Sequence, residues 1–190
     1  DMFRISDCEN SPLYYKASKY MFAIRPTAPA AIGLAREALN NKRTSEAVDY
    51  LNKAIGLTSD RKLKSQCYYT LATIQMNAHS YTQARAYCNK AMAENPNMGG
   101  PLILIAQMYA ASASSIFQDP VKQRCVFYLA IDKLERARAI DSSVAGKANQ
   151  LIATYRRSLP SSADIFMHPE LESGKSFYVG GWIGESTVIR

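Results

Sequence analysis

The residue types that usually carry metal or nucleophilic chemistry are few in this chain and poorly spaced for it. His79 lies in a polar turn and His168 in a Phe-Met-His-Pro stretch, and neither has a Ser or Cys arrangement typical of an activated nucleophile. The four cysteines form no CxxC pair, so zinc spacing is absent. Glycine-rich phosphate loops of the GxGxxG or GxxxxGK type do not occur. The sequence therefore predicts a protein that is not an enzyme, with no cofactor and no metal.

Composition and charge further reduce the number of protein classes that fit this sequence. The net charge is +7 over 190 residues, but the basic residues are scattered in ones and twos, which is typical of solvated helix faces. A nucleic-acid binder is the alternative that this charge raises, and it is disfavoured because the tyrosines fall at core-type spacings. The longest apolar run, 101–106, is too short for a membrane span. We find no signal-peptide pattern, and a chain that begins with Asp suggests a fragment or a processed form.

Helical periodicity organises the chain from about residue 14 to residue 160. The central pattern is Tyr68-x2-Leu71-Ala72, followed by Ala84-x3-Cys88-x2-Ala91 and a terminating Pro96. Each half places its residues on one helix face, and a polar break at 77–80 separates them, which predicts a helix–turn–helix unit. The same unit recurs, with its two helices starting their patterns at Ala31 and Ala47, and again at Leu102 and Ala130, before a last helix from Ala148. The alternative is an irregular helical bundle.

Two features of the third unit are specific to it. About twelve extra residues separate its helices, and we expect the stretch Ser114–Val121 to form a loop. Asp119 is placed to cap the next helix, with Pro120 at its first position.

These residues resemble the tetratricopeptide repeat, whose pattern is W-x2-L-G-x2-Y, then A-x3-F, then P. The unit 65–98 keeps Leu71, Ala84, Ala91 and Pro96, but has Tyr68 in place of the Trp. The resemblance implies an all-α, right-handed solenoid of antiparallel helix pairs with a C-terminal β-hairpin. The predicted units are 1–27 (the second helix of a cut repeat), 28–64, 65–98 and 99–144 (repeats, the third with an expanded turn), 145–160 (terminal helix) and 161–190 (linker and hairpin cap).

The resemblance also implies a function. First helices of such pairs line a concave groove that holds a protein or peptide, and a groove that is merely solvated is the alternative. The lysine–asparagine carboxylate clamp of co-chaperone members is missing, since its positions hold Ile32, Arg36, Thr70, Gly100 and Leu104. The groove positions implied here are Arg36, Asn40, Tyr69, Thr73, Asn77, Gln107, Asn149, Gln150 and Arg156.

The tail from Ser176 has strand composition. Gly184 would be the first residue of a two-residue hairpin turn, setting Trp182 opposite Thr187. We expect Phe177, Tyr178 and Trp182 either to cover the final helix as a cap or to accompany a free strand edge that pairs with a partner.

A second resemblance covers nearly the whole chain. The segment Val179–Thr187 is similar to the closing VGGWIGEST segment of exported tetratricopeptide proteins of Gram-negative bacteria. It implies a periplasmic or envelope-associated scaffold, with the cytoplasm left open as a location. The alternative function is a structural subunit of a larger envelope assembly. The cysteines Cys8, Cys67, Cys88 and Cys125 are expected to act as small apolar core residues, with Cys67–Cys88 the first pair to test for a disulfide.

Overall fold

The structure, a computed structural model, describes residues 11–190, so Cys8 and the first ten residues of the predicted unit 1–27 lie outside it. These residues form nine α-helices, two short 3-10 turns at Ser142–Val144 and Pro169–Leu171, and one two-stranded sheet. The helices and strands are α1 (Pro12–Ile24), α2 (Ala28–Asn40), α3 (Thr44–Gly56), α4 (Arg61–Asn77), α5 (Tyr81–Glu94), α6 (Gly100–Ile116), α7 (Pro120–Ile140), α8 (Ala145–Arg156), α9 (Ser162–Phe166), β1 (Ser176–Val179) and β2 (Glu185–Val188).

Local chemistry explains where the helices begin. Ser11 and Thr27 accept hydrogen bonds from backbone N–H groups three residues on, and a proline stands in the first turn of each following helix. Asp60 caps α4 in the same way. Asp119 accepts from the N–H groups of Val121 and Lys122, with Pro120 first in α7, which confirms that part of the prediction.

The turns inside the first two pairs share one geometry. Lys42 and His79 have φ values of 58° and 56°, in the left-handed region. The next N–H in each turn bonds back to a carbonyl five residues earlier, from Arg43 to Ala38 at 2.8 Å and from Ser80 to Gln75 at 2.9 Å. This is the Schellman helix ending. His79 therefore occupies a chain-reversal position.

Small residues on the second helices form the contact surfaces of the pairs. In α3, α5 and α7 the repeated alanines are fully buried, and the position between them holds Leu51, Cys88 or Leu134, at most 3% exposed. Each helix packs mainly against its neighbours in the chain. The predicted solenoid of helix pairs with a C-terminal hairpin is confirmed. The fully buried alanines are Ala47, Ala54, Ala84, Ala91, Ala130 and Ala137.

The extra residues of the third unit lengthen its helices. The prediction of a loop over Ser114–Val121 is wrong at both ends, because α6 continues to Ile116 and α7 starts at Pro120, leaving only 117–119 between them. The hydroxyls of Ser112 and Ser115 each donate a hydrogen bond to a backbone carbonyl of the preceding turn, at 2.8 Å. These serines are therefore compatible with the helix and do not end it. The result is a helix pair of 17 and 21 residues.

The hairpin has a different register from the predicted one. Phe177 pairs with Thr187 and Val179 with Glu185, so Trp182 lies in a five-residue loop, 180–184, instead of opposite Thr187. Gly181 and Gly184 both have positive φ in that loop, a backbone conformation that glycine adopts without strain. The predicted contact of the hairpin with the final helix also differs. Strand β2 packs on α7, which precedes the terminal helix α8.

The described cysteines are core residues. Cys67, Cys88 and Cys125 are free thiols and are buried. Burial raises the pKa of Cys67 to about 11 and of Cys88 to about 12, which keeps both thiols protonated and unreactive at neutral pH. Cys67 and Cys88 belong to different apolar clusters, the first between α2 and α4 and the second around α6 and α7.

We predict that Gly33→Ala destabilises the protein, because α1 and α2 meet closely at that glycine. A Cβ on Gly33 would lie 2.2 Å from Ser18 Oγ and 2.9 Å from Ser18 Cβ, and Ser18 is buried. Such overpacking costs about 1–3 kcal/mol of unfolding free energy, measurable by urea denaturation.

Gly146→Ala in α8 is the matched control, since no atom lies within 4 Å of its added Cβ. Alanine has less conformational freedom than glycine in the unfolded chain, so this variant should be more stable by about 0.5 kcal/mol. Equal effects of the two substitutions would contradict the close contact of α1 with α2.

Candidate functional site

A cavity of about 360 Å³ opens between the first helices α2 and α4. It brings together two of the predicted groove residues, Arg36 of α2 and Tyr69 of α4. Ile32, Gln66 and Thr70 line it as well. Gln66 was missed in the sequence, although its place one turn before Tyr69 and Thr70 would have revealed it by simple helical periodicity.

Tyr69 is held in the cavity by close packing. A Cβ on Gly100, the first residue of α6, would lie 3.1 Å from two carbons of the Tyr69 ring, so a glycine there lets α6 start beside the ring. Burial, and then the charge interaction with neighbouring Cys88, raise the pKa of Tyr69 above its usual value. The phenol therefore remains a hydrogen-bond donor at neutral pH.

The other predicted groove residues are placed differently. Asn40 donates its amide to Tyr15 at 2.7 Å, and Thr73 donates to the Tyr69 carbonyl at 3.0 Å. Asn149 and Arg156 face side chains of α7, accepting from Arg138 at 2.8 Å and donating to Glu135 at 3.5 Å, respectively. None of these four lines the cavity between α2 and α4. Asn77 and Gln150 are exposed and Gln107 is half-buried.

The hairpin loop is docked on two helices, α5 and α6, through Trp182. Its ring centroid lies 5.7 Å from that of Tyr81 in α5 and 5.4 Å from that of Tyr109 in α6, and its Nε1 donates to Ser112 Oγ at 3.1 Å. Phe177 packs on Phe117 with centroids 5.3 Å apart. Tyr178, on the opposite face of β1, is 62% exposed. Two of the three predicted hairpin residues thus contact the helices and one faces solvent.

One carboxylate connects the hairpin to these two helices and to α7. Glu185 accepts from the Tyr109 hydroxyl and the Lys133 ammonium, and Arg85 Nη1 lies 3.7 Å from its Oε1. Burial opposes the charge of Glu185, but the hydrogen bonds of Lys133 and Tyr109 and the charges of Lys133 and Arg85 outweigh it and lower its pKa. Sequence reasoning placed Glu185 in a turn. The signal was a lone carboxylate in an apolar segment, which needs a partner when it is buried.

The described residues contain no group of three or more metal-ligating side chains, and none of the described helices is long and apolar enough to cross a membrane.

Comparison with known proteins identifies the repeat. The family model of the tetratricopeptide repeat matches residues 28–61 and 65–98, which are the pairs α2–α3 and α4–α5. The chain is an α-solenoid in which these two helix pairs match the tetratricopeptide repeat, and proteins with that repeat generally serve as protein–protein interaction modules. No curated protein and no solved structure matches the chain. The predicted boundaries of the units stay predictions.

We predict that Trp182→Ala lowers the free energy of unfolding by about 2–4 kcal/mol, because it removes a large, partly buried ring from the contact between hairpin and helices. Urea denaturation followed by circular dichroism measures the loss.

Tyr178→Ala is the control in the same hairpin. Its ring is mostly exposed, so the change should stay within about 0.5 kcal/mol. If Trp182→Ala were as mild as Tyr178→Ala, the hairpin would not be a stabilising part of the fold.

We also predict that the contribution of Glu185 depends on pH. Its folded pKa is lowered, so its stabilisation is fully present above the unfolded value of about 4.3 and is lost as pH falls through the folded pKa. Glu185→Gln should therefore cost about 1–2 kcal/mol at pH 7 and much less at pH 3, as measured by urea denaturation at both values.

Glu172→Gln provides the comparison, because that side chain is 70% exposed and its ion pair with Lys175 lies at the surface. It should have little effect at either pH. A Glu185→Gln penalty that persists unchanged at pH 3 would contradict the role of the charge.

Proposed function

We propose that the chain is a non-enzymatic scaffold that holds a protein or peptide partner in the cavity between α2 and α4. The observation that carries the proposal is the convergence of Arg36, Gln66 and Tyr69, from two adjacent tetratricopeptide repeats, on one cavity. The first helices of two neighbouring pairs supply these groups, so the cavity depends on the stacking of the repeats.

The chemistry of the lining favours a partner with hydrogen-bond acceptors. Arg36 supplies a guanidinium, Tyr69 a protonated phenol and Gln66 an amide, which together suit a carboxylate and the carbonyl groups of an extended backbone. Ile32 and Leu63 add apolar surface beside them. We infer that the bound segment is extended and carries an acidic group, either a side chain or a C-terminal carboxylate, next to an apolar residue.

We further propose a location in the bacterial cell envelope. The support is the similarity of the segment 179–187 to the closing segment of exported proteins of this class. In this chain that segment holds Trp182 and Glu185, which attach the hairpin to the helices.

We predict that peptides selected from a displayed random library by the wild-type chain bind Arg36→Ala at least about tenfold more weakly. The lost contact is a charge-assisted hydrogen bond, which contributes about 1.5–3 kcal/mol. Tyr69→Phe, which keeps the ring and removes the donor, should weaken binding about fivefold. Fluorescence anisotropy with labelled peptides measures both.

Arg157→Ala serves as the control, because it removes the same charge from an exposed position at the end of α8. It should leave the affinity unchanged. A library that yields no binding peptide, or peptides that bind Arg36→Ala and wild type equally, would refute the groove as the binding site.

A further inference from the structure

Another cavity, of about 310 Å³, lies where the hairpin loop meets α5, α6 and α7. Three cations border it, Arg85 of α5 with Lys133 and Arg136 of α7. Of the described residues that line it, Glu185 is the one carboxylate. The lining therefore carries an excess of two positive charges. This cavity shares no lining residue with the one between α2 and α4.

The two inner cations of this cavity share its carboxylate. Lys133 donates to Oε2 of Glu185, and Arg85 Nη1 lies 3.7 Å from Oε1. The side chains of Lys133 and Arg85 are only 20% and 25% exposed. Because water screens charges weakly at that depth, one carboxylate does not fully offset two cations. A second anion in the cavity would lower their remaining repulsion.

Arg85 is held in place with part of its hydrogen-bonding capacity unused. Its Nη1 donates to the Ile183 carbonyl at 2.5 Å and to the Tyr109 hydroxyl at 3.1 Å, and its guanidinium lies 5.3 Å from the centre of the Trp182 ring. Its Nε and Nη2 bond to no described residue. Since no buried side-chain nitrogen in the described part of the chain lacks a partner, both of these atoms reach solvent. A cation that is fixed in advance binds an anion at a smaller entropic cost.

The rim of the cavity adds donors that the fold does not use. Arg136 and Asn89 are exposed, and neither forms a hydrogen bond or an ion pair with another residue that the structure describes. By contrast, Arg138 of the same helix donates to Asn149 and pairs with Glu135. A guanidinium and an amide N–H are both suited to the oxygens of an anion.

The charge and the size of the cavity indicate a small dianion. A phosphate monoester carries a charge of about −1.5 to −2 at pH 7 and three acceptor oxygens, which match the excess positive charge and the donors of the rim. A volume of about 310 Å³ lies at the lower end of the range for small-molecule sites. The apolar lining residues Leu102 and Ile105 are buried, so they present no surface to lipid chains.

We propose that the cavity bordered by Arg85, Lys133 and Arg136 binds the phosphate group of a small, water-soluble phosphate monoester. Arg136 and Asn89 contact the phosphate oxygens directly, together with the unused N–H groups of Arg85. The site is separate from the proposed partner groove, and its ligand is a small molecule.

The test is isothermal titration calorimetry of the full chain with glycerol 3-phosphate, in a phosphate-free buffer at constant ionic strength and pH 7.5. Glycerate is the matched probe, because it has a similar three-carbon frame and a single negative charge. Glycerol 3-phosphate should bind at least about tenfold more tightly than glycerate, since its second charge and third oxygen are also engaged. Equal affinities, or no binding of glycerol 3-phosphate at millimolar concentration, would overturn the proposal.

Variants locate the binding. Arg136→Ala removes an exposed side chain with no partner in the described part of the chain, so the fold should persist, which circular dichroism checks. Its affinity for glycerol 3-phosphate should fall at least about tenfold, and that of Asn89→Ala about threefold. Arg157→Ala removes the same charge at the exposed end of α8 and should leave the affinity unchanged, as should Arg36→Ala in the groove. If Arg136→Ala bound as tightly as Arg157→Ala, the cavity would not be the site.

A membrane source of the phosphate is distinguished by vesicles that contain phosphatidic acid, whose head group is the same phosphate monoester. The chain should not be retained on them in a flotation assay. Retention that Arg136→Ala abolishes would make the cavity a membrane contact and would overturn the proposal of a soluble ligand. A chain that ignores the vesicles and binds glycerol 3-phosphate through Arg136 would support it.

Discussion

The closeness with which paired helices approach each other determines the rest of this structure. Alanines at the contact positions of α3, α5 and α7 are fully buried, so backbones meet with little side chain between them. Interaxial distance in helix packing follows the size of the contacting side chains. Because the pairs are tight, the first helices α2 and α4 stand side by side and form a cavity.

The third helix pair provides the surface on which the hairpin packs. Its extra residues carry α6 on to Ile116 and lengthen α7 to 21 residues, and Ser112, Phe117 and Tyr128 of this unit all contact the C-terminal segment. A two-stranded hairpin is marginal by itself. Here Trp182 supplies apolar contact and Glu185 supplies directional bonds, so the loop is fixed on three helices at once.

The sequence predicted the features that depend on local periodicity and capping. Helix pairs, their turns, the Asp119 cap and the alanine positions all follow from residues within a few places of each other in the chain. The loop prediction at Ser114 failed because serines can bond back to their own helix, and composition alone does not reveal that choice. The hairpin register failed for a different reason. Trp182 is in the loop because its ring packs on Tyr81 and Tyr109, and these contacts join residues far apart in sequence.

The same limit explains the groove residues. Helical spacing places Asn149 and Arg156 on a first helix, but the preceding α7 presents Arg138 and Glu135 to them. Their polar groups are therefore used within the fold. Gln66, Arg36 and Tyr69 meet at a seam between two repeats. Which polar residue of a solenoid lines a cavity therefore depends on the side chains that the neighbouring helix presents as well as on the residue's own face.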